Sequence, residues 1–133
     1  MPVKFCDLQI DQGASFTASW IWIGGGQGVN PAGTTALAIF RQVPTDTPLL
    51  SVSTTASANG SVITYLPAVT NYPYIAFGQP SPILITVYPV QLFIALADVA
   101  ALVYPIAKWK FAFTWPTGIV IDWLAGDVEV VNI

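Results

Sequence analysis

A chain of 133 residues has room for one domain with a true hydrophobic core and too little for two independent units. Charged residues make up 8% of it against 54% hydrophobic, where a soluble domain ordinarily carries about 25% charged. The surface must therefore be covered by Ser, Thr, Asn, Gln, Gly and Pro, or by other protein. Four basic residues (Lys4, Arg41, Lys108, Lys110) against seven acidic ones give a net charge of −3 and no extended basic patch, which argues against nucleic acid, whose binding requires several phosphates to be neutralised together.

The opening MPVKFCDLQIDQG lacks the apolar run of a secretory leader. A first strand over Val3–Ile10 ends at the turn Asp11-Gln12-Gly13. Ala14–Ile23 alternates cleanly, with Phe16, Ala18, Trp20 and Trp22 on one face, and predicts a strand. The run from Gly24 to Gly33 is a loop. It has neither the Lys-Ser/Thr of a phosphate loop nor a helix behind it, so it reads as a hairpin connection. Thr34–Gln42 is a second strong strand, with Ala36, Ala38 and Phe40 in phase. Pro44 and Pro48 then take the chain out of the sheet, since proline cannot donate to a ladder.

Leu49–Thr55 and Ser61–Tyr65 are expected as short strands about the Asn59-Gly60 turn, a strong hairpin signal because both residues tolerate positive φ. Residues 66–82, punctuated by Pro67, Pro73, Pro80 and Pro82, predict a long irregular loop carrying Tyr72, Tyr74 and Phe77. Aromatics on a proline-stiffened loop suit a partner contact, because they bury a large area at modest entropic cost; covering an open end of the fold is the plainer alternative. Ile83–Tyr88 is a strand, and Gln91–Ile94 extends it beyond Pro89. Leu96–Leu102 is the one helical segment, with Asp98 placed to cap its first turn. The apolar region Ile83–Ile106 is interrupted by Pro89, Gln91, Asp98 and Pro105, so no membrane-spanning helix is expected.

Lys108–Trp115 has the clearest alternation, with Trp109, Phe111 and Phe113 on one face and Lys108, Lys110, Ala112 and Thr114 on the other. Two outward lysines about an inward tryptophan explain it better than a basic-aromatic motif. Pro116-Thr117-Gly118 turns the chain, Ile119–Leu124 returns, Ala125-Gly126 introduces a bend or bulge, and Asp127–Ile133 closes it. Seven or eight short strands with one short helix predict an all-β, antiparallel β-sandwich, immunoglobulin-like or jelly-roll-like, as a single domain over residues 1–133.

Chemistry is hard to assemble here. With no histidine, Ser-His-Asp and Cys-His arrangements and the commonest neutral-pH base are absent. Cys6, the single cysteine, has no imidazole to activate it and no partner for an intrachain disulfide. Zinc would need more Cys and His ligands. Asp7 with Asp11, or Asp122 with Asp127 and Glu129, follow no calcium-loop spacing. No catalytic residue, metal or cofactor is expected. Trp115 and Trp123 beside Asp122 are candidate glycan contacts, since aromatic-plus-carboxylate surfaces bind sugars. For protein contact the candidates are Tyr72, Tyr74 and Phe77, Gly25 of the glycine run, and Val131 and Ile133 of the last strand.

Several segments in series, LQIDQGASFTASWIW, AIFRQVPTDTPLLSVST, ASANGSVIT, LADVAAL and WKFAFTWPTGIVIDWLAGDVEVVNI, resemble small structural proteins of tailed bacteriophages. The opening carries Gln12, Gly13, Ala14, Phe16 and Trp20; the ending carries Leu124, Gly126, Val128 and Val130. The stretch from about Leu66 to Pro82 and the Gly24–Gly33 insertion depart from the pattern. The resemblance implies a non-enzymatic virion component made in the host cytoplasm. It would be a β-sandwich at the tail, baseplate or neck that anchors neighbouring subunits or fibres, present in many copies as a homo-oligomer or within a symmetric assembly. Its partners would be other virion proteins, with no nucleic acid and no membrane. Head decoration and a carbohydrate-binding, receptor-recognition module are the alternatives.

Overall fold

The alternating Lys108–Trp115 segment becomes the centre of the larger sheet in the computed structural model, which describes residues 4–43, 45–75 and 78–132. In chain order the elements are β1 (Lys4–Phe5), β2 (Leu8–Asp11), β3 (Phe16–Trp20), β4 (Ile23–Gly24), β5 (Gln27–Gly28), β6 (Thr35–Gln42), β7 (Pro48–Ser53), β8 (Val62–Tyr65), β9 (Val69–Tyr74), β10 (Ile83–Val87), β11 (Val90–Ile94), α1 (Leu96–Val99), β12 (Ile106–Thr114) and β13 (Val120–Val131). The chain is all-β and predominantly antiparallel with one short helix, as expected. A six-stranded sheet runs β1-β13-β12-β6-β7, with β2 also on β13; a three-stranded sheet runs β3-β11-β8; β4-β5 and β9-β10 form two-stranded ribbons.

The inner face of the larger sheet is built by size complementarity. Phe111 and Phe113 of β12 stand opposite Ala38 and Ala36 of β6, so bulky rings are seated over small neighbours. Trp109 stacks on Phe40 with centroids 6.0 Å apart. The three-stranded sheet supplies Leu92, Ile94, Val90 and Ile63 to the same buried cluster. Trp20 of β3 meets Trp109 at 5.4 Å and Tyr65 of β8 meets Phe113 at 6.2 Å, so aromatic contacts join the two sheets, and Trp22, just past β3, stacks on Phe113 at 5.3 Å. Offset and edge-on ring pairs of this kind add roughly 0.5–1.5 kcal/mol each beyond area burial.

Four local expectations are corrected. The first strand divides at Cys6-Asp7, because that backbone is drawn against Gly126: the Trp109 indole Nε1 donates to the Cys6 carbonyl at 2.7 Å and the Asp127 amide donates to Asp7 Oδ1 at 2.9 Å. A Cβ at Gly126 would collide with the Cys6 carbonyl, so that glycine permits a close approach and β13 continues through it. The irregularity lies three residues earlier, where Phe111 pairs with Leu124 and Ala112 with Asp122, leaving Trp123 as a bulge. A bulge puts two successive side chains on one face, and Trp123 and Leu124 are both buried.

The Asn59-Gly60 turn forms, but β7 and β8 do not pair; β8 joins β11 in the smaller sheet. The turn is a crossover between sheets, since both strands bury a face in the shared core rather than against each other. Residues 66–82 are not one irregular loop, because β9 lies within them. Pro73 is accommodated because, among the described residues, β9 pairs only with β10, so a missing amide on its other edge breaks no ladder.

Candidate functional site

No charged side chain occurs between Asp46 and Asp98, and the β9–β10 ribbon is made wholly from that stretch. Its register sets Tyr74 against Ile83, Pro73 against Leu84, and Tyr72 against Ile85. Period-2 alternation therefore puts Tyr72, Tyr74, Ile83 and Ile85 on one face and Pro73 and Leu84 on the other. Leu84 is 64% exposed and Ile75, just past the strand, 62%; Val69, Tyr72 and Ile83 are exposed as well. Apolar side chains thus stand in water on both faces.

The base of the ribbon is held firmly. Val87 is fully buried, the Leu66 amide donates to the Pro89 carbonyl at 2.9 Å, and Gly28 lies so close to Thr86 that a Cβ there would strike its carbonyl. Gly28 closes β5, and Gly25 and Gly26 between β4 and β5 both take positive φ (64° and 78°). Two such residues make the tight hairpin loop that suits strand twist. Between Val69 and Tyr72 the register shifts, with Thr70 and Asn71 facing Thr86 alone and Asn71 at φ 57°. That bulge twists the outer edge of β9, which carries no charge and is otherwise protected only by Pro73.

The candidate residues separate clearly. Tyr72 is exposed and Tyr74 half-buried on the same ribbon face, and Gly25 is exposed at its hairpin tip. Phe77 and Ile133 lie outside the described residues. Val131 is half-buried and its edge is taken, since β2 pairs along Val128–Val131 and the Gln12 amide donates to the Val131 carbonyl at 3.0 Å. Of the glycan candidates, Trp123 is overturned: at 3% exposure it is packed against Trp22, Phe111 and Phe113 and has no free face for a sugar. Trp115 is half-buried, and Asp122 is engaged by Lys110 at 2.7 Å.

Asp98 does not cap its helix. No side chain caps Ala95; instead the Asp98 carboxylate accepts from Ser57 Oγ (2.8 Å), Asn59 Nδ2 (2.7 Å) and Ser61 Oγ. Ser61, fully buried, in turn accepts the Ala95 amide at 2.8 Å. The hydrogen bonds from Ser61, then Asn59, hold the Asp98 carboxyl below its ordinary value, against the opposing effect of burial. Tyr65 is shifted the other way, its phenol raised by burial despite the Thr34 hydroxyl 2.7 Å away. Both groups tie loops to the core. Among the described residues no three of His, Cys, Asp and Glu are grouped to hold a metal, and no helix is long and apolar enough to cross a membrane.

Reading residues 66–82 as a loop left the Ile83–Tyr88 strand without its ribbon partner, so Ile83 passed for a core-facing position in phase with Ile85 and Val87, and Leu84 was not singled out. The signal that could have found them is the absence of charge on either side. The chain matches no protein-family model, and no curated protein is significantly similar to it.

Proposed function

We propose that this protein is a non-enzymatic structural subunit of a tailed-bacteriophage virion. In this reading it sits at the tail, baseplate or neck in many copies and packs against neighbouring virion proteins. The observation that carries the assembly reading is the uncharged β9–β10 ribbon with apolar side chains on both faces. Large exposed apolar surface on a small protein marks a partner site, and a two-stranded ribbon is marginal alone in water. The phage setting rests on the ordered motif series. An antiparallel sandwich of immunoglobulin-like or jelly-roll-like type belongs to the same proposal, supported by the aromatic contacts between the two main sheets.

Burial of the ribbon from both sides would contribute to an interface of the usual size, about 1,600 Å² in total, and repetition in a symmetric assembly multiplies its effect. The test is native mass spectrometry of the purified protein and of particles carrying Leu84→Ser with Ile83→Ser. Incorporation should fall while the isolated protein keeps its thermal midpoint. A wild-type chain that stays monomeric and is absent from particles overturns the proposal. A copy number matching the capsid lattice rather than the tail would move the subunit to head decoration.

A further inference from the structure

Outside the ribbon, the outer side of the larger sheet carries most of what charge the chain has. Register sets its side chains in cross-strand rows. One row runs Asp127, Lys108, Arg41; the next runs Phe5, Ala125, Lys110, Ile39. Three of the four basic residues therefore stand in two adjacent rows. Lys110 is neutralised by Asp122. Arg41 and Lys108 face each other as direct register partners, and among the described residues neither side chain makes an ion pair or hydrogen bond. Like charges directly opposite on neighbouring strands are destabilising; Asp127 stands opposite Lys108 on its other side without closing an ion pair with it.

Beside the pair the surface is hollowed. Ala125, a small side chain between Phe5 and Lys110, leaves an open furrow of about 460 Å³ that Arg41, Lys108 and Lys110 line over Trp109. A second depression of about 260 Å³ continues it to Phe5, which is 90% exposed on the two-residue edge strand β1. Arg41 and Phe5 thus stand at opposite ends of the two depressions, separated by β12 and β13, and arginine and aromatic side chains are both enriched at interfaces.

We infer that this furrow binds an acidic peptide segment of a partner protein, its carboxylate received by Arg41 and Lys108 and a neighbouring apolar side chain laid against Phe5. A planar guanidinium takes a carboxylate through two parallel N–H donors, and the ammonium opposite adds a third charge-assisted bond. Asp46 and Asp127 on the rim, with the net charge of −3, suit a short acidic segment and oppose a long polyanion such as a nucleic acid. The inference is independent of the ribbon and of the virion placement.

The test is a two-dimensional amide NMR titration of the ¹⁵N-labelled protein with tetraglutamate, tetraglutamine and inorganic phosphate. Tetraglutamate should shift the Arg41, Lys108 and Ala125 amides saturably, and tetraglutamine should not. Arg41→Gln or Lys108→Gln should weaken binding roughly tenfold or more, the loss of one charge-assisted contact. Phe5→Ala should weaken binding of an acidic peptide containing leucine, and Lys4→Gln, whose residue pairs with inward Leu124, should change nothing. Removing either opposed cation should leave the thermal midpoint unchanged or higher. Binding that survives both substitutions, phosphate shifts as large as those of tetraglutamate, or a midpoint lowered by either substitution would overturn the inference.

Discussion

Asp98 shows how a single side chain can tie three parts of a fold together. Its carboxylate gathers donors from the 57–61 turn, and through Ser61 it reaches the first amide of the helical segment. Alanine at this position strands the buried Ser61 hydroxyl, and Asp98→Ala is expected to cost about 1–3 kcal/mol at neutral pH. The sign of the pH dependence follows from the depressed carboxyl. Its contribution is complete above the unfolded value of about 3.9 and is lost as pH falls through the lower folded value. Urea unfolding of wild type and Asp98→Ala at pH 7 and pH 3 checks this: the stability gap should narrow at pH 3, and a constant gap would refute the assignment. Spacing from the helix start suggested a cap, but the donors that satisfy Asp98 lie about 40 residues away in sequence, beyond any local reading.

At the scale of elements, the ribbon and the core strands should differ in stability. Among the described residues β9 and β10 pair only with each other, whereas β12 is flanked by β13 and β6. Amide hydrogen exchange should therefore be fast through Val69–Tyr74 and Ile83–Ile85 and slow at Phe111 and Phe113. Gly28→Val, which drives a side chain into Thr86, should accelerate exchange in the ribbon while leaving β12 protected; uniform acceleration would mean that the ribbon is part of the core. Alternation made β3, β6 and β12 legible from the sequence, because a half-buried strand must segregate its faces. The β12–β13 hairpin was legible too, closed at Gly118 (φ 89°) with the Trp115 amide on the Ile119 carbonyl at 2.8 Å. The β9 half of the ribbon was hidden because it is exposed almost throughout and leaves no alternation. The crossover after Asn59-Gly60 was hidden because a turn signal specifies a reversal, not the partner of the next strand.

Across the whole molecule, one buried cluster draws on both main sheets, and Phe111 lies at its centre. It touches Trp20, Trp109, Phe113 and Trp123 with ring centroids 5.3–6.4 Å apart. Phe111→Ala is expected to cost about 3–5 kcal/mol, a large share of the roughly 5–15 kcal/mol that holds a domain together. Thermal unfolding followed by near-ultraviolet circular dichroism should show a steep fall in midpoint, and a shift of only a degree or two would place the core elsewhere.

Local chemistry in the chain was enough to define an all-β protein with an aromatic inner face and no histidine for the usual catalytic pairs. Those properties depend on residue type and on period 2, which are carried along the chain itself. Pairing had to come from the tertiary structure: which strands share a sheet, where the bulge falls, that Trp123 is core and Leu84 is surface. So did the meeting of Arg41 with Lys108, because cross-strand register joins residues far apart in sequence and no local rule specifies it.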